Sequence, residues 1–209
     1  MTFEIRQADS VRQFAAVETA PEHVDDTVRY LDGLFASGSS RPEWCFVAWR
    51  DGRPCGRVAF WALPRVGRPL DIVLLNLPWD GEADAIGRAL LEGARRAMAD
   101  AGLTTVGHCH DHPPRTPQWQ THGDARLAFL AGLGFRTQRD TLRFEAAPAL
   151  GAAVGTGDLR LRAATPDDET LLRQMVAAVA AASRDQIARA FTRGGWRQFG
   201  ERRELLLPA

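Results

Sequence analysis

Between Trp44 and Leu77 the chain carries three apolar runs: Trp44-Cys45-Phe46-Val47-Ala48-Trp49, then Cys55 to Leu63, then Asp71-Ile72-Val73-Leu74-Leu75-Asn76-Leu77. The separators decide how these runs are arranged. Asp51-Gly52-Arg53 has room only for a tight hairpin turn, and Arg65 to Pro69 makes a second short turn, so the three strands form an antiparallel meander. The period then changes. Ile86, Leu90, Ala94 and Ala97 or Met98 recur at helical spacing, which predicts an amphipathic helix ending before Gly102. A sheet followed by a helix that must cover one of its faces points to a mixed α/β class.

The flanking segments extend this frame. Phe3 to Gln7 reads as a short strand, followed by a helix capped by Asp9 or Ser10 and by a second helix from about Pro21 to Phe35. After the amphipathic helix come a strand at Thr104 to Cys109, an irregular loop from Asp111 to Gly123, and a short helix from Ala125 to Leu133 stopped by Gly134. Phe135 to Glu145 reads as two strands around a turn near Gln138 to Asp140. The expected order is β-α-α-β-β-β-α-β-α-β-β, a first domain over residues 1–147. Residues 148–157 form an Ala- and Gly-rich linker. Beyond it, Leu159-Arg160-Leu161-Arg162-Ala163-Ala164 parallels Phe3-Glu4-Ile5-Arg6-Gln7-Ala8, and Thr165-Pro166-Asp167 caps another helix. Two readings of 158–209 stay open: a partial second copy of the domain, with Glu204 to Leu207 where Trp44 to Val47 stand in the first, or a strand-helix extension. The helix from Asp167 to Phe191 has an apolar stripe that core packing or a homodimer interface would cover.

Composition narrows the chemistry. All 26 basic side chains among the 209 residues are arginines, so lysine-dependent phosphate transfer and Schiff-base chemistry are excluded. Tyr30 is the only tyrosine. The acids also number 26, so no global field favours nucleic acid or an anionic membrane. No apolar run approaches the roughly 18–20 residues of a membrane span, and Thr2-Phe3-Glu4-Ile5-Arg6 does not read as a signal peptide, so a cytoplasmic protein is expected. Cys45, Cys55 and Cys109 lack metal-type spacing and are expected as free thiols.

The order of elements, with Leu77-Pro78-Trp79 leading into Ile86-Gly87-Arg88-Ala89-Leu90-Leu91, resembles the GNAT acyltransferases over about residues 3–146. Ala125 to Gly134-Phe135 resembles that family's short helix ending in L-G-F. The resemblance implies a mixed, mostly antiparallel sheet flanked by helices, with acetyl-CoA as co-substrate and a small-molecule amine as acceptor. It places the pyrophosphate on the loop Ala83 to Ile86, including Ala85, with Gly87 and Arg88, and the thioester on the backbone N–H groups of Leu75 and Leu77. The family's leading Arg or Gln falls on Glu82, its two earlier glycines on Ala83 and Ala85, and its tyrosine acid on Leu130. Glu82 and Asp84 therefore put negative charge where phosphate must sit. For the base, the spacing of Asp71 before Leu77 matches a glutamate of some members, and His108 or His110 stands at the end of the fifth strand. His108-Cys109-His110-Asp111-His112 is one residue short of a metallo-β-lactamase signature, and the element order does not fit that fold, so no metal is expected. The alternative to N-acetyl transfer is a GNAT-like domain that has lost coenzyme binding and serves as a structural or regulatory module.

Overall fold

A computed structural model describes residues 2–17, 21–103, 105–113, 121–145, 164–181 and 197–207, together with 186, 188, 189 and 192. The meander forms as expected: β1 (Glu4–Gln7), β2 (Cys45–Arg50), β3 (Arg53–Trp61) and β4 (Asp71–Asn76) pair antiparallel in that order. Asp51 and Gly52 both take left-handed φ, 51° and 74°, which gives the hairpin a turn matching the strand twist. Helices α1 (Val11–Ala15) and α2 (Val24–Ala36) precede β2, and Ser10 caps α1 by accepting from the Gln13 N–H at 3.1 Å. Helix α3 (Ala83–Ala97) follows β4, then β5 (Val106–His112), α4 (Gly123–Gly132) and β6 (Arg136–Glu145).

Strand alternation divides the core between the two faces of the sheet. Phe46, Ala48, Val58, Phe60 and Ile72 pack with Ile86, Leu90 and Ala94 of α3 and with Phe129 and Leu130 of α4. Cys45, Val47 and Ala59 pack on the other face with Phe14 and Leu31. In β4 the alternation breaks: Val73 and Leu74 share the α1–α2 face, while Ile72 and Leu75 lie on the α3 face. The register shows why, since Ala59 pairs with Leu74 and Phe60 with Ile72, leaving Val73 as an inserted residue. This is a β-bulge.

The C-terminal part of the chain differs from expectation. Phe135 to Glu145 is not two strands around a turn; Arg136–Glu145 is one continuous strand. The remaining strand is β7 (Arg197–Leu207), which lies between β5 and β6 in a seven-stranded sheet of order β1-β2-β3-β4-β5-β7-β6. The polar residues read as a turn are ion-pair partners of that strand: Arg139 binds Glu204 at 2.7 and 3.1 Å, and Asp140 binds Arg203 at 2.8 and 3.1 Å. Glu204 to Leu207 therefore completes the first sheet rather than opening a second. Residues 148–157 and the strand expected at 159–162 lie outside the described residues.

The chain divides into two compact units, Met1–Asp140 with Arg203–Ala209, and Thr141–Arg202. The second holds the outer ends of β6 and β7, joined by an Arg197–Glu145 ion pair, and helix α5 (Glu169–Ala181). Thr165 and Asp168 form a capping box before α5, and Leu171, Leu172, Met175 and Val176 of its apolar stripe stay exposed. No helix among the described residues is long and apolar enough to cross a membrane.

Candidate active site

β4 and β5 run parallel but pair only at Asp71 with Gly107 and Ile72 with His108. Beyond that point the strands part, next to the Val73 bulge, and leave an open edge on β4 from Val73 to Asn76. Leu75 stands opposite Val58, and its carbonyl is turned away from β3 into the gap, as its bond to Arg126 shows. In an antiparallel pair its N–H shares that edge.

β5 supplies two histidines to the gap. His108 is 2% exposed, and its Nδ1 lies 3.1 Å from the Ile72 carbonyl, which can only accept, so Nδ1 carries the proton. Burial, with the Arg126 charge second, pushes its pKa down to about 3, so it stays neutral. His110 is also shifted down, first by burial and then by Arg126. A Cβ on residue 123 would come within 3.2 Å of His110 Nε2, so glycine at the start of α4 lets the imidazole lie against the backbone. His108 Nε2 and His110 Nδ1 are buried without a hydrogen-bond partner.

The opposite wall comes from α4 and from the turn after β4. Arg126, 2% exposed, reaches from α4 to donate to the Leu75 carbonyl at 2.7 Å, and its guanidinium lies 4.5 Å from the Trp79 ring centre. Trp79 stacks on His122, centroids 6.3 Å apart, and meets Phe129 edge-on. Trp79 and His122 both take left-handed φ, 47° and 56°, which histidine adopts readily but which marks a strained position for the bulky Trp79.

Around the start of α3, Glu82 and Asp84 each have an arginine, and a third carboxylate, Asp80, accepts from the Glu82 amide at 2.9 Å. Arg50 grips Glu82 with two bonds, at 2.6 and 2.9 Å, and holds its carboxyl below the usual range. Arg88 Nε binds Asp84 at 2.8 Å, and Arg88 Nη2 donates to the Gly132 carbonyl at 3.1 Å. The Ala83 amide bonds back to Asp80 at 3.2 Å, and the Ile86 amide closes the first helical turn on Glu82 at 3.1 Å. The amides of Asp84 and Ala85 lie between, as donors at a helix N-terminus. Arg88 also borders a groove of about 630 Å³ along α3, lined by Arg95, Arg96, Leu91, Leu133 and Leu207.

The residues expected from sequence do not all meet. Leu75 and His110 face one gap, and Ala85 and Arg88 lie at the start of α3. Ile86 is fully buried, and a Cβ on Gly87 would press on the Phe129 ring and come within 2.8 Å of Leu77, so both are packing positions. Leu77, 1% exposed, belongs to the same core. Asp71 sits at the paired end of the strands, level with Gly107 and three residues of β5 from His110, roughly 10 Å along a strand. It accepts from the Gly107 backbone, and burial, with Glu204 second, raises its pKa. Leu130 is fully buried, and Tyr30 packs on the other face of the sheet. Arg126, Arg50 and the Trp79–His122 stack carry no sequence signal of their own, because their partners are remote in the chain. Among the described residues no group of three or more His, Cys, Asp or Glu is arranged to hold a metal.

No protein-family model matches the sequence, and no curated protein matches it at a significant level. Solved structures do resemble it. A GNAT-family structure from Desulfovibrio desulfuricans is 13% identical and superposes with a TM-score of 0.50, covering 99% of this chain and 98% of its own. The ribosomal-protein-S18-alanine N-acetyltransferase of Escherichia coli is also 13% identical, with coverage of 99% and 94% and a TM-score of 0.48. The PaiA N-acetyltransferase of Thermoplasma acidophilum, solved with coenzyme A, is 16% identical over 66% of this chain and 92% of its own, with a TM-score of 0.45. The chain has the GNAT fold.

Proposed function

We propose that the protein is an acyltransferase that moves an acetyl or related acyl group from acyl-coenzyme A to a small-molecule amine. The observation that carries this reading is the gap where β4 and β5 part at a β-bulge, with a neutral, buried histidine beside it. The phosphate end of the coenzyme fits the start of α3: the amides of Asp84 and Ala85 donate, Arg88 offsets Asp84, and Arg50 offsets Glu82. The adjacent groove with Arg95 and Arg96 gives room for the nucleotide.

In the reaction, the amine nitrogen attacks the thioester carbon while the Leu75 N–H stabilises the developing oxyanion. His110 takes the proton released by the amine as the C–N bond forms. The C–S bond then breaks, and His110 returns the proton to the leaving thiolate, in place of the tyrosine that Leu130 has displaced. Asp71 is too far along the strand to share this step. Coenzyme release measured with acetyl-CoA and a panel of amines tests the reading. The expected result is amine-dependent release by the native protein, reduced about 10²-fold or more in kcat by His110→Gln with little change in coenzyme KM. Absence of release with any amine at millimolar acetyl-CoA contradicts it.

A second reading, a GNAT-fold module without catalysis, is favoured by Leu130 in the acid position and by Arg126 across the gap. A folded protein that neither binds coenzyme A nor releases it from acetyl-CoA supports that reading.

A further inference from the structure

α4 rests on β5 where Gly123 meets His110, and one turn later Arg126 reaches across to β4. The guanidinium thus bridges the two walls of the gap. It does so at Leu75, on the open edge of β4, where an extended chain carrying amide groups would add as a strand and need the same carbonyl as its acceptor. Building on the acyl-transfer reading, we propose that Arg126 is a latch that holds the gap shut, and that the amide-bearing arm of coenzyme A enters only by taking the Leu75 carbonyl from it.

Three features bear on the latch. His108 Nε2, His110 Nδ1 and Trp79 Nε1, all beside the guanidinium, are buried without protein partners, which leaves hydrogen-bonding capacity in the gap for a polar ligand to meet. The seat of the guanidinium, Trp79, holds a left-handed backbone conformation that is an outlier for so bulky a side chain, and such outliers collect where a fold keeps a working geometry. The Leu75 bond is also separable from the Trp79 contact. Arg126 can release the carbonyl and keep its charge over the indole, 4.5 Å away in the closed state. Latch and catalytic gap therefore share one wall: His110, proposed as the base, has its pKa lowered partly by the charge that closes the gap.

Calorimetric titration with coenzyme A, comparing the native protein with Arg126→Ala and Arg126→Met, tests the latch. Arg126→Met keeps an apolar stem in the helix and loses every donor; Arg126→Ala also clears the space. The expected affinities rise in the order native, Met, Ala, with Ala at least about tenfold tighter than native, the loss of one charge-assisted bond to be displaced. Equal or weaker binding by both variants, with the native protein still binding, overturns the latch and leaves the acyl-transfer reading standing. No heat from any of the three overturns both. Independently of any substitution, the Trp79 indole N–H resonance of the native protein is expected to shift when coenzyme A is added. Binding heat with an unmoved indole resonance overturns the latch.

Discussion

His108 is the residue whose environment makes the most direct prediction. The fold holds it neutral with a pKa of about 3, while the unfolded chain takes up the proton near pH 6.5. Below about pH 6.5 the unfolded state therefore binds the extra proton and the folded state does not, so stability is lost as pH falls. The loss is expected to approach about 1.4 kcal/mol per pH unit between pH 6 and 4. Denaturant melts across this range, with His108→Asn as comparison, check it: the native slope is expected to be steeper, and equal slopes contradict the account. At the same scale, Gly87 is required by packing, since a methyl group there presses on Phe129 and Leu77. Gly87→Ala is expected to cost about 1–3 kcal/mol in an equilibrium melt, as overpacking of a filled core does. In the sequence Gly87 stands out only as a match to a phosphate-loop pattern; its contact with Phe129, from a helix forty residues on, is not visible there.

At the scale of elements, what was legible followed from local periodicity. The β2–β3–β4 meander is encoded by alternation and by Asp51-Gly52, and α3 by its apolar stripe; both need only neighbouring residues to be recognised. The start of α3 was harder to read. Glu82 and Asp84 look hostile to phosphate when taken by spacing alone, because Arg50 lies on a different strand and meets Glu82 only after the sheet has formed. The compensation is testable. Arg50→Gln is expected to weaken coenzyme A binding several-fold by leaving Glu82 uncompensated beside the helix end, and Glu82→Gln in the same chain is expected to restore it. If the double variant binds as weakly as Arg50→Gln, measured by calorimetry, the charge argument fails. The histidines at the end of the fifth strand were legible in the sequence, but Arg126 was not. It lies in a helix of Ala, Leu and Phe, and its carbonyl partner is 51 residues away.

For the whole molecule, the sheet is completed by a strand that arrives late in the chain. β7 lies between β5 and β6 although residues 146–196 separate β6 from it in sequence. Locality is what hid it: Gln138 to Asp140 read as a turn because the cross-strand partners, Glu204 and Arg203, are more than sixty residues on. Leu205 is buried in the same core as Phe129 and Leu130, with Leu207 packed beside it. A chain ended at residue 196 is therefore expected to lose its cooperative thermal transition, because β5 and β6 lose the strand between them. An unchanged melting temperature by circular dichroism contradicts this topology. In the proposed function the gap and the start of α3 are two ends of one coenzyme site. An amide-resolved NMR titration of the native protein with acetyl-CoA addresses it most directly. Shifts are expected at the Leu75, Leu77, Asp84 and Ala85 amides and at the Trp79 indole; an unchanged spectrum, or shifts confined to residues away from β4 and the start of α3, overturns the single site.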